Sequence, residues 1–121
     1  MNKRVFGAEG EKIAAKYLIE NGFNILEMNF RSGKIGEIDI IASEKEYICF
    51  IEVKTRTCNL YGTPAEAVGY EKQKRIKALA WIYIKNKNRN PNMRFDVVEV
   101  TGKIRNNEFT PENVNLIRSA F

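Results

Sequence analysis

The sequence predicts an α/β domain in which a mixed β-sheet is flanked by helices, in the core order α-β-β-β-α-β. Three observations predict it. A helical apolar stripe opens the chain, three strand-like runs follow one another between Phe23 and Arg56, and a second helical stripe precedes a valine-rich run. Three successive strands with no helix between them argue against a doubly wound parallel sheet.

The first helix is expected from Phe6 to Asn21, where Phe6, Ile13, Ala14, Tyr17 and Leu18 share a face and Asn21-Gly22 supplies the stop. Phe23 to Phe30 reads as the first strand, and Arg31-Ser32-Gly33-Lys34 as the turn after it. The run from Gly36 to Ala42 and the run from Tyr47 to Arg56 are rich in β-branched and aromatic residues and read as strands two and three. Thr63-Pro64-Ala65-Glu66 has the cap, proline and glutamate of a short helical turn. The second helix is expected from Glu71 to about Lys87, with Ile76, Leu79, Ala80, Tyr83 and Ile84 inward. Asn88 to Asn92 is a polar connection, Arg94 to Val100 a fourth strand, and Thr101-Gly102 the start of a hairpin return. With no repeat or linker, the chain reads as one domain over 1–121.

Composition narrows the chemistry. The chain has no histidine, which excludes imidazole-based triads and histidine-ligated zinc. Hydrolysis would have to rest on carboxylates, lysine and a hard cation such as Mg²⁺ or Mn²⁺. Two cysteines, Cys49 and Cys58, form no disulfide framework. There is no apolar run of membrane-spanning length and no secretory signal, so a cytoplasmic, membrane-free protein is expected. A formal charge of +5 suits a polyanionic partner.

The acids carry the sharpest signal. Side chains alternate along a strand, so Glu37 and Asp39 share a face of the second strand, as do Glu52, Lys54 and Arg56 of the third. Ile48 and Phe50 precede Glu52 on that face, while Tyr47, Cys49, Ile51 and Val53 make the other face apolar. This pattern suits a central strand, buried on both sides, whose end delivers Glu52 and Lys54 into a cleft. If pairing sets Asp39 beside Glu52, two carboxylates about 4 Å apart repel by roughly 4 kcal/mol at an effective dielectric of about 20. A divalent cation removes that cost, and Lys54 alone offsets only part of it. A structural ion-pair cluster is the plain alternative.

Gly36-Glu37-Ile38-Asp39 followed by Glu52-Val53-Lys54 resembles the Asp…(Asp/Glu)-x-Lys motif of the restriction-endonuclease-like superfamily. Gly7 to Leu18, Phe50 to Arg56, Ala67-Val68, Lys72 to Ile76, Arg94 to Val98 and Ala120-Phe121 resemble the YraN family within it, over nearly the whole chain. The resemblance implies a restriction-endonuclease-like fold and a nuclease related to Holliday-junction resolvases. Asp39 and Glu52 would hold the metal beside the Val53 carbonyl, and Lys54 would act at the attacking water or the phosphate. Glu11 would join the metal site from the first helix, and Glu37 is a further candidate ligand. Arg56, Lys72, Lys74 and Gln73 are candidate DNA contacts. Tyr70, Trp81 and Tyr83 read as core or interface, and Asp96 as structural. The expected partner is branched or otherwise structured DNA, and cutting two strands of a junction would call for a homodimer. The competing expectation is a catalytically silent nucleic-acid-binding or assembly module on the same fold.

Overall fold

The computed structural model describes residues 1–57, 68–85, 87 and 91–121. The predicted turn at Thr63-Pro64-Ala65-Glu66, Cys58, Ala67 and most of the polar connection from Asn88 lie outside the described residues. The elements are α1 (Lys3–Glu20), β1 (Asn24–Arg31), β2 (Glu37–Glu44), β3 (Tyr47–Arg56), α2 (Tyr70–Lys85), β4 (Asn92–Arg105) and β5 (Glu108–Ile117). This is the α/β architecture expected, a five-stranded mixed sheet between helices.

The strands lie in the order β1-β2-β3-β4-β5, and of the four pairings only β3 with β4 is parallel. A parallel pair needs a crossover, which α2 supplies. The stripe Ile76, Leu79, Ala80, Tyr83 and Ile84 packs on one face with Ile48, Phe50 and Val97. Ala14 and Leu18 of α1 pack on the other with Cys49, Ile51, Val53 and Val98. Strand β3 is therefore central and covered on both sides, as its two-sided apolar pattern predicts. Gly10 explains how closely α1 approaches, since a Cβ there would lie 1.8 Å from Thr55 Oγ1.

Three expectations are corrected. Helix α1 begins earlier than Phe6, because Asn2 caps it and its Oδ1 accepts the Val5 N–H at 2.9 Å. Strand β4 runs past Thr101-Gly102 to Arg105, and the hairpin turns at Asn106-Asn107. Both turn residues have positive φ, 52° and 62°, the conformation that matches strand twist in a tight hairpin. Gly102 instead sits at a register shift, where a Cβ would lie 2.1 Å from the Thr110 carbonyl oxygen. Finally, Tyr83 is core, but Tyr70 and Trp81, 72% and 60% exposed, are not, so only the interface half of that expectation is left to them.

Asp96 is structural, as expected. Fully buried, it receives Arg94 in a two-pronged hydrogen bond and the Ser119 N–H at 2.9 Å. Arg94 Nη2 also reaches Glu44 at 2.7 Å, and Arg118 grips both Glu44 oxygens. Hydrogen bonds from Arg118 first, then from Arg94, hold the Glu44 carboxyl at about 2 against an ordinary 4.5, although burial opposes them. The folded value is the lower one, so this stabilisation is complete above pH 4.5 and is lost as pH falls through 2. Arg118→Ala is expected to flatten the acid limb of stability measured by urea denaturation; identical acid limbs in the two proteins would refute the linkage.

Candidate metal and nuclease site

The site is built where β2 parts from β3. Their ladder pairs Ile40 with Ile51 and goes no further in that direction. At the next step Asp39 Oδ2, not a backbone carbonyl, accepts the Val53 N–H at 2.8 Å. Ile38 packs on the α2 side while Ile40 packs on the α1 side. Strict alternation would have put both on one face, so β2 rotates at Asp39.

Glu52 stands against Asp39 and is only 4% exposed. Its Oε1 lies 3.0 Å from Lys72 Nζ, and its Oε2 is buried with no hydrogen-bond partner among the described residues. Burial, then the charge of Glu52 and a hydrogen bond shared with it, raise the Asp39 carboxyl from 3.8 to about 8. Asp39 thus keeps its proton at neutral pH when no cation is bound. This is the repulsion expected from the sequence, expressed as retention of a proton.

Glu11, Glu37 and Asp39 make a second group. One carboxylate oxygen from each lies within 4.8 Å of the others. Asn29, in the left-handed region at φ 54°, bridges two of them, its Nδ2 donating to Glu11 Oε1 at 2.8 Å and to Glu37 Oε1 at 2.7 Å. Arg31 Nε donates to Glu37 Oε2 at 2.6 Å. The four candidate ligands therefore form two overlapping sets that meet at Asp39, one with Glu52 and one with Glu11 and Glu37.

The profile of the uncharacterised protein family UPF0102 matches residues 10–100. The chain belongs to that family. It is the YraN family of the sequence resemblance. A UPF0102 protein of Acetivibrio thermocellus is 48% identical over 121 residues, covering 99% of this chain and 93% of its own. One from Caldanaerobacter subterraneus is 48% identical over 122 residues, covering 100% and 98%. A third, from Clostridium tetani, is 46% identical over 121 residues, covering 99% and 95%. The match to UPF0102 spans every acid and lysine of the site and stops within β4. The names of these UPF0102 proteins carry no activity, so function is argued from the site.

Around the acids of this UPF0102 chain the cations fall into three groups. Lys54 is half-buried; burial first, and then the charge of Lys72, lower its ammonium below the ordinary value against the pull of Glu52 and Asp39. For Lys72 burial also works against the charge, but Glu52 and Asp39 outweigh it and raise the ammonium. Lys72, expected among the DNA contacts, is thus turned toward Glu52. Arg56 lies 3.3 Å from Glu99 at the end of β3, and Gln73 donates to the Val68 carbonyl at 2.9 Å at the start of α2. Only Lys74 of the four candidate DNA contacts is fully outward, its ammonium 5.3 Å from the Tyr70 ring centroid.

Sequence reasoning missed Asn29 and Arg31, which organise the Glu11–Glu37 side. The available signal was a lone asparagine inside a strand-like run, where β propensity disfavours it.

Proposed function

We propose that this protein is a metal-dependent endonuclease that hydrolyses DNA phosphodiester bonds, with branched or otherwise structured DNA as its substrate class. The observation that carries the reading is Glu52 Oε2, a buried carboxylate oxygen with no hydrogen-bond partner among the described residues, beside a second acid that keeps its proton. Acids gathered next to lysines at the end of a central strand repel phosphate unless a cation lies between them. Hard carboxylate oxygens suit Mg²⁺ or Mn²⁺. Asp39 and Glu52 would hold it, with Glu11 and Glu37 completing the ligand set. Such an ion supplies Lewis acidity at a phosphoryl oxygen and a water acidic enough to attack near neutral pH.

The chain's own groups supply the rest. Lys54 presents a lowered ammonium that can hold or release a proton at Nζ. Asn29 and Arg31 hold Glu37 in place. Arg56, Lys72 and Lys74 provide positive charge along the approach to the acids, and a homodimer would offer two such sites to two strands. A silent nucleic-acid-binding module is the second reading, supported by Lys72, whose ammonium offsets the charge of Glu52 without a metal ion.

Calorimetric titration with Mn²⁺ and incubation with linear, flapped and four-way DNA test the proposal together. Native protein is expected to bind Mn²⁺ at one dominant site and to cleave, and the Asp39→Asn/Glu52→Gln variant to do neither. Tight binding of four-way DNA with every substrate left intact across Mg²⁺ and Mn²⁺ concentrations would favour the silent module instead. Equal Mn²⁺ binding by the variant would remove the metal site.

A further inference from the structure

Helix α2 carries an outward stripe whose aromatic rings neither the acid site nor the core uses. At about 100° per residue, Lys77, Tyr70, Trp81, Lys74 and Lys85 fall within an arc of roughly 80°. No acid lies in that arc; Glu71, the acid of α2, falls about 40° beyond its edge. Tyr70 and Trp81 are 72% and 60% exposed, values far from those of core aromatics. All three lysines are exposed, with Lys74 set over the Tyr70 ring and Lys77 leaning toward Phe95 and Phe121.

We infer that this stripe is a binding track for unpaired nucleic acid, in which Tyr70 and Trp81 stack on bases while the interleaved lysines hold the phosphates between them. The inference rests on the nuclease reading and specifies its substrate, which would be DNA with a single-stranded arm or gap. Charge complementarity selects the occupant. A protein interface of this size would deplete lysine from its centre, whereas here lysines alternate with the aromatics. A duplex offers few free base faces, because its bases are already stacked on one another. Unpaired strands present both the π-face and the phosphate that an aromatic–lysine alternation recognises. The rings are separated by about 16 Å along the helix, a span of several nucleotides. The track begins at the N-terminal end of α2, the same end at which Lys72, on the opposite face of the helix, meets Glu52.

Trp81 is the only tryptophan in the chain, so its fluorescence reports on the stripe directly. Metal-free protein is titrated with an oligodeoxythymidylate of about a dozen nucleotides and with a duplex of equal length, while anisotropy of labelled DNA reports binding independently. Quenching of Trp81 by the single strand, weaker with the duplex, is expected. Tyr70→Ala and Trp81→Ala should each weaken single-strand binding about ten-fold, and Trp81→Phe should largely restore it. Lys74→Gln/Lys85→Gln should flatten its salt dependence. DNA that binds by anisotropy while Trp81 emission and the Tyr70→Ala affinity stay unchanged would overturn the track and leave the nuclease reading standing. Failure of every DNA to bind would sink both. A blue shift of Trp81 with rising protein concentration and no DNA would assign the stripe to a second copy of the chain and overturn the track.

Discussion

Replacing Asp39 with asparagine is expected to abolish metal-dependent cleavage and, in the same protein, to raise the stability of the metal-free fold. The first effect follows from its position, because Asp39 belongs to both sets of acids. The second follows from its proton. The folded value is about 8 and the ordinary one 3.8. Between these limits the unfolded chain has released the proton that the folded chain retains, so the native protein loses stability as pH rises through that window. An asparagine has no proton to release. The gain from Asp39→Asn should be absent near pH 4, grow with pH, and level off above 8, with a ceiling of roughly 6 kcal/mol at about 1.4 kcal/mol per pH unit. Urea denaturation in chelator at several pH values measures it. Parallel pH profiles for the native and variant proteins would show that the acids are not coupled, whatever the cleavage assay gives.

The second large effect separates two lysines that meet at one carboxylate. Lys54→Ala is expected to reduce cleavage by about 10²–10⁴-fold, the range for a positioned proton-transfer or charge-stabilising group, while leaving Mn²⁺ binding and the fold largely intact. Lys72→Ala should behave differently. It removes the ammonium 3.0 Å from Glu52 Oε1, so the metal-free protein should become less stable while Mn²⁺ binds more tightly, its competitor being gone. Thermal melts, calorimetry and single-turnover cleavage on both variants distinguish the roles. A well-folded Lys54→Ala protein that cleaves at the native rate would end the catalytic assignment. Weaker Mn²⁺ binding by Lys72→Ala would show that this lysine supports the metal site and does not compete for it.

The parts of the fold that were legible in the sequence are those where burial dictates residue type. Strand β3 is covered on both sides, so its apolar residues run without a break from Ile48 to Ile51, and its first charge, Glu52, comes next while still under cover. Helix α2 shows its inward stripe for the same reason. Strand β5 was not legible. It lies at the edge of the sheet and is largely exposed, so Glu108, Thr110, Glu112, Asn113 and Asn115 satisfy it with no apolar pattern to read. The turn before it was misplaced because Gly102 is a commoner turn residue than Asn106-Asn107, yet here glycine serves the close approach of Thr110. At the site, strand alternation brought Asp39, Glu52 and Lys54 into view. The rotation of β2 at Asp39 and the bridge through Asn29 depend on how strands diverge in space, and no local pattern encodes that. Lys72 was read with its outward neighbours, although helical periodicity alone sets it nearly opposite Lys74.

The hydrogen bond from the Val53 N–H to Asp39 has an evolutionary consequence. An asparagine at this position offers the same acceptor oxygen at the same reach, and it carries no charge to set against Glu52. The fold by itself therefore has no need of an acid at position 39 and would be better served without one. A lineage that kept this chain only as a scaffold would be free to drift toward the amide and gain stability in doing so. An aspartate there is what the proposed cation requires and the metal-free fold does not.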